Sequence, residues 1–90
     1  VKKIHKYPII TTDEQKLPMA KGAVALAVTG DDETGCIWLW AMVDTIQPYD
    51  YATVHVVGTG NPCDYVNAED YVGTVKYDDK VWHVFVTPPK

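Results

Sequence analysis

The sequence predicts an all-β domain, a small antiparallel sandwich or partly open barrel of about six to seven strands. Three observations carry this: apolar residues recur with a period of two, β-branched and aromatic types fill the apolar runs, and Gly, Pro, Asn and Asp interrupt those runs at short intervals.

The first strand is expected over residues 4–9, where Ile4, Lys6 and Pro8 alternate with His5, Tyr7 and Ile9, and the second over 15–19. Residues 24–29 and 36–43 form the third and fourth, joined by the polar hairpin Gly30-Asp31-Asp32-Glu33-Thr34-Gly35. The fifth runs over 52–57. The sixth, 71–76, and the seventh, 81–86, flank a second hairpin, Tyr77-Asp78-Asp79-Lys80. Longer links are expected over 44–51 and 58–70, each carrying a proline, and binding loops belong in such places. One helical turn is compatible with Asn67-Ala68-Glu69-Asp70.

The fourth strand, Cys36-Ile37-Trp38-Leu39-Trp40-Ala41-Met42-Val43, is apolar at every position and must be central. One face presents Cys36, Trp38, Trp40 and Met42, the other Ile37, Leu39, Ala41 and Val43. If one side covers the core, the other needs a second layer or a partner subunit. The seventh strand repeats this doubleness with Val81, His83 and Phe85 opposite Trp82, Val84 and Val86. The excess apolar surface predicts a homo-oligomer, a dimer being the expected form.

A chain of 90 residues, 47% apolar and 22% charged, supports one core and one domain over 1–90. No apolar run reaches the roughly 18 residues of a membrane helix, and Val1-Lys2-Lys3-Ile4-His5-Lys6 lacks the apolar stretch of a secretion signal, so the expected location is the cytoplasm and no membrane partner is expected. There Cys36 and Cys63 remain thiols. The chain contains no serine and no arginine: the commonest hydroxyl nucleophile and the planar fork that best grips phosphate and guanine are both missing. With a formal charge of −4, duplex nucleic acid is repelled.

Among candidate sites, Gly58-Thr59-Gly60 could turn backbone amides toward an anion, although neither a dinucleotide fingerprint nor a P-loop is complete; a structural turn is the simpler use of these glycines. His5, His55 and His83 lack the local spacing of a metal site, and no cofactor is expected. His83 is expected to be partly buried against a backbone carbonyl, His55 to lie on a solvated face beside Thr53. Cys63 beside Asp64 has an acidic neighbour that opposes thiolate formation. Most of the tryptophans are expected in the core, whereas Tyr49, Tyr51 and Tyr65 sit in or beside the long links, where a ring can stack on a base, anchor a partner or cap the sheet.

Lys3-Ile4-His5-Lys6-Tyr7-Pro8, Thr12-Asp13-Glu14-Gln15, Pro18-Met19-Ala20-Lys21-Gly22-Ala23, Leu39-Trp40-Ala41-Met42-Val43-Asp44, Gly58-Thr59-Gly60, Tyr71-Val72-Gly73-Thr74 and Val81-Trp82-His83-Val84-Phe85 together span nearly the whole chain. In these elements it resembles a family of small uncharacterised proteins encoded by phages and prophages, whose usual glycine-rich hairpin is here the longer acidic segment 30–35. The resemblance implies a phage or prophage origin, hence a host bacterial cytoplasm, and carries over no catalytic residue. Small accessory phage proteins often act against bacterial immunity.

Two functions follow as expectations. In the first, a homo-oligomer sequesters a small nucleotide immune signal between its subunits, with Lys3 and Lys6 neutralising phosphate, Tyr49, Tyr51 and Tyr65 stacking, and Gly58, Thr59 and Gly60 supplying amides. In the second, the protein inhibits a host defence complex such as a CRISPR effector, with Asp31, Asp32, Glu33, Asp78 and Asp79 occupying a nucleic-acid channel. An enzyme ranks last, because the sequence suggests no nucleophile and base pair.

Overall fold

A computed structural model describes residues 1–89. All seven expected strands are present: β1 Lys2–Ile9, β2 Gln15–Ala20, β3 Val24–Asp31, β4 Cys36–Asp44, β5 Tyr49–Gly58, β6 Tyr71–Tyr77 and β7 Lys80–Thr87. They form two antiparallel sheets, a three-stranded one in the order β1-β4-β3 and a four-stranded one in the order β2-β5-β7-β6. The core draws on both sheets, Ile9, Ile37, Leu39, Ala41 and Val43 from the first meeting Met19, Val54, Val56, Val75, Val84 and Val86 from the second. The architecture is therefore a sandwich and not a closed barrel.

β4 is central in its sheet. Its side chains alternate strictly, with Ile37, Leu39, Ala41 and Val43 buried while Cys36, Trp38, Trp40 and Met42 are only half-buried on the opposite face. Full burial of Ile37 and Leu39 contributes roughly 1.5–3 kcal/mol each. The core expectation fails for two tryptophans: Trp38 and Trp40 lie on the outer face of the three-stranded sheet, because β4 has a single core side and the aliphatic residues occupy it.

The two sheets meet differently at their two margins. On one, β3 lies against β6 so closely that a Cβ built on Gly30 would stand 2.5 Å from the Lys76 carbonyl oxygen, and one on Gly73 would stand 2.9 Å from a Val28 methyl. Glycine is what permits this approach. On the other margin β1 and β2 are edge strands with no further strand beside them among the described residues. The side chain of Gln15 holds the end of β1 there, accepting from the Ile10 amide at 3.1 Å and donating to the Ile10 carbonyl at 2.6 Å. Each free edge carries a proline, Pro8 or Pro18, and at least one lysine, which discourages addition of another strand.

The link after β4 is shorter than expected. Tyr49, Asp50 and Tyr51 pair with Ala20, Met19 and Pro18, so both tyrosines are strand residues. The link 59–70, with a single 3₁₀ turn at Ala68–Asp70, folds back over the outer face of the four-stranded sheet. Val57 points to that outer side by alternation yet is only 5% exposed, Tyr65 packs edge-on against His55, and Asp70 accepts a hydrogen bond from Thr87 Oγ1 at 2.7 Å. Among the described residues the three-stranded sheet has no such roof: Ile4, Val24 and Leu26 remain 62%, 49% and 45% exposed.

Candidate functional site

Two surfaces stand out. The first is the acidic end of the sandwich. Asp78 and Asp79 both take left-handed conformations, φ 54° and 59°, which make the two-residue turn between β6 and β7. In the β3–β4 hairpin the Asp31 carboxylate accepts from the amides of Glu33 and Thr34 at 3.0 and 3.3 Å. Hydrogen bonding from Thr34, reinforced by the Glu33 amide, holds the Asp31 carboxyl below the usual carboxylate range. The two hairpins are tied together by the Asp78 amide, which donates to Asp32 Oδ1 at 2.9 Å. A groove of about 280 Å³ is lined by Asp32, Tyr77, Asp78 and Asp79. Burial, then the nearby Asp78 and Asp32 charges, raise the Tyr77 hydroxyl above its ordinary pKa. Of the five carboxylates singled out in the sequence, Asp32, Asp78 and Asp79 thus line one groove from turns more than forty residues apart, Asp31 is turned onto its own hairpin, and Lys80 is the one cation in either turn.

The second surface is the outer face of the three-stranded sheet. Lys6 Nζ stands 4.4 Å from the Trp38 ring centroid and 5.8 Å from that of Trp40. Both indole N–H groups are satisfied locally, Trp38 donating to Thr34 Oγ1 at 3.2 Å and Trp40 to Thr29 Oγ1 at 3.1 Å. The rings are consequently anchored and present apolar edges outward, beside Met42, Ile4 and Val24, which lie in register across the sheet.

The chain matches, over residues 1–90, the profile of a family described as a domain of unknown function, DUF7352. The chain belongs to this family. No curated protein and no solved structure matches it.

Within this DUF7352 domain the residues expected to line a nucleotide pocket are dispersed. Lys6 lies with the tryptophans on one outer face of the sandwich, whereas Tyr65 lies on His55 at the opposite outer face. Lys3 alternates away from Lys6, on the side of β1 that carries His5 and Tyr7. Tyr51 projects from β5 on the Thr53 and His55 side, and Tyr49 begins that strand close enough to Tyr7 to add to the burial that raises the Tyr7 hydroxyl's pKa. Gly58, Thr59 and Gly60 form a structural turn: Gly60 has φ +88°, the Thr59 amide donates to the Val81 carbonyl at 3.3 Å and the Asn61 amide to the Gly58 carbonyl at 3.1 Å. The Thr59 amide, one of those expected to face an anion, is therefore occupied internally.

The solvated face expected for His55 is corrected, whereas His83 is partly buried as expected but has different partners. His55 is roofed by Tyr65, with Nδ1 2.7 Å from the Asp13 carbonyl. His83 is held by hydroxyls and not a carbonyl: Nε2 is 2.7 Å from Thr59 Oγ1 and Nδ1 2.9 Å from Thr74 Oγ1, which in turn meets Tyr71 Oη. A hydroxyl and an imidazole are therefore in contact, which the sequence did not suggest. Thr59 Oγ1 also reaches the Val81 carbonyl at 3.4 Å, and the group orienting His83 is a hydroxyl and not a carboxylate, so the arrangement lacks the acidic third member of a hydrolytic triad. Among the described residues, no three His, Cys, Asp or Glu side chains converge as a metal site. Nor is any described helix long and apolar enough to cross a membrane.

Proposed function

We propose that the chain is a non-enzymatic binding protein, a homo-oligomer that engages a basic, nucleic-acid-binding surface on a host defence protein through the acidic end of its sandwich. The observation that carries this is the hydrogen bond between the Asp78 amide and Asp32, which locks two acidic turns from different sheets into one surface. Preorganised carboxylates of this kind compete for a channel built to hold phosphates, and the interaction weakens with salt. The phage or prophage origin implied by the sequence resemblance, the anti-defence role and the bacterial cytoplasm belong to the same proposal.

The test uses the isosteric triple variant Asp32→Asn, Asp78→Asn, Asp79→Asn. Asn keeps the acceptor at 32 and tolerates positive φ at the other two positions, so only charge is removed. Tagged wild-type protein should retain a nucleic-acid-binding defence protein from bacterial lysate at low salt and release it at high salt, and the triple variant should retain none. Equal capture by the variant would remove the acidic end from the reading.

A second reading, sequestration of a small nucleotide, is supported by Lys6 over Trp38 and Trp40, a cation flanking two rings on which a base can stack. Calorimetric titration with cyclic dinucleotides and cyclic ADP-ribose isomers tests it, and absence of heat and of tryptophan quenching ends it.

A further inference from the structure

We infer that two copies of the chain pair by laying the outer faces of their three-stranded sheets together, with the twofold axis running along β4. This rests on the homo-oligomeric part of the proposed function and names the surface that performs it. The two outer faces of the sandwich are unequal. The four-stranded sheet is roofed by the chain's own 59–70 link, under which Val57 is 5% exposed, while Ile4, Val24 and Leu26 stand open beside the half-buried Trp38, Trp40 and Met42. Pairing through the free edges is opposed by Pro8 on β1 and Pro18 on β2 and by the lysines beside them, so the sheet face is the available route.

Register and charge select the occupant and the axis. Ile4 and Val24 both pair with Met42, so they flank it at the same level on opposite sides of β4. Rotation about β4 sets β1 of one copy over β3 of the other, placing Ile4 against Val24 of the second copy, Lys6 near Ala27 of the second copy, and the two Met42 and Trp40 side chains about the axis. Rotation about an axis crossing the strands at Trp40 would instead bring Lys6 onto Lys6 of the second copy, a like-charge contact. The face is thus self-complementary in one orientation only of these two. Three strands about 4.8 Å apart and β4's nine residues at about 3.3 Å rise give roughly 400 Å² of flat footprint per copy. That is small for a specific interface and predicts weak, concentration-dependent association.

Sedimentation velocity over a concentration series from about 1 to about 200 µM, wide enough to reveal weak association, tests this. The wild-type chain should rise from its monomer mass of 10.0 kDa toward twice that value, with a concentration-dependent blue shift of tryptophan emission. Ile4→Lys alone and Val24→Glu alone should each weaken pairing at least about tenfold, because each sets a charge against a methyl without the rings of Trp38 and Trp40 that hold the Lys6 ammonium. The double variant should regain it, because the introduced ammonium of one copy then opposes the introduced carboxylate of the other across the axis. Ile46→Glu, 78% exposed in the β4–β5 link, should leave the mass unchanged. All three positions probed are solvent-exposed, and far-UV circular dichroism checks that each variant folds. A wild-type monomer throughout the range overturns the pairing and the oligomeric reading together. A dimer indifferent to both single variants leaves an oligomer standing but overturns this face, and a double variant that stays monomeric overturns the axis.

Discussion

Thr59 Oγ1 lies 2.7 Å from His83 Nε2, and this contact pins the first residue of the 59–70 link to the outer face of the four-stranded sheet. Thr59→Val keeps the β-branched shape and removes the hydroxyl. It should cost about 1 kcal/mol in urea unfolding, with faster amide exchange at residues 59–66 than in β5 or β7. Unchanged exchange there would mean that the roof is held by Tyr65 and Asp70 without this hydrogen bond.

The seam between β3 and β6 sets an order between two glycines. At Gly30 a new Cβ would meet a backbone oxygen at 2.5 Å, and at Gly73 a valine methyl at 2.9 Å. A carbonyl in a paired strand yields less readily than a side-chain methyl. Gly30→Ala should therefore lose about 1–3 kcal/mol and Gly73→Ala distinctly less, both read from denaturant midpoints.

Asp78 and Asp79 occupy left-handed backbone that Asn and Gly adopt more easily. Replacing the pair with Asn-Gly should raise stability by about 0.5–1 kcal/mol and the thermal midpoint by a few degrees. A lowered midpoint would show that the acidic pair makes a contribution beyond the turn.

Tyr7 presents the converse case. Its Oη is buried with no hydrogen-bond partner among the described residues, and burial, then Tyr49, raise its pKa. Tyr7→Phe removes an unsatisfied polar atom while keeping the ring, so the variant should be as stable as the parent or up to about 1 kcal/mol more stable. A loss of stability in thermal unfolding would show that the hydroxyl is hydrogen-bonded in solution.

Acid should act through Asp31. Its carboxyl is held low by hydrogen bonds to its ionised form, so the native state binds its proton less readily than the unfolded chain. The stabilisation is complete above the unfolded carboxylate value of about 3.9 and is lost as pH falls through the lower folded value. In Asp31→Asn this part of the acid limb should flatten, so the stability gap from wild type should narrow as pH drops below about 4, monitored by urea midpoints across pH.

The strands were legible because alternation and turn residues act over a few neighbours. The boundaries of β5 were less so: Tyr49-Asp50-Tyr51 has no apolar alternation of its own and becomes strand through pairing with Pro18, Met19 and Ala20, roughly thirty residues earlier. The same limit explains why the expected pocket residues lie dispersed within one chain. Lys6 and Tyr65 looked compatible because nothing in their local sequence says which outer face each will reach, and the sheet order separates them. Trp38 and Trp40 carried a readable signal, their alternation with Ile37 and Leu39. What could not be read was which of the two apolar faces would be covered.

The sequence by itself determined the antiparallel strands, both tight hairpins and the two-faced character of β4, since side-chain alternation and turn conformation are properties of adjacent residues. Only the tertiary structure decided that the aliphatic face of β4 becomes core, that the tryptophan face stays open under Lys6, and that Asp32 meets Asp78. Those outcomes depend on the order of strands within two sheets and on where a long link folds back, and contacts between distant segments leave no periodic mark along the chain.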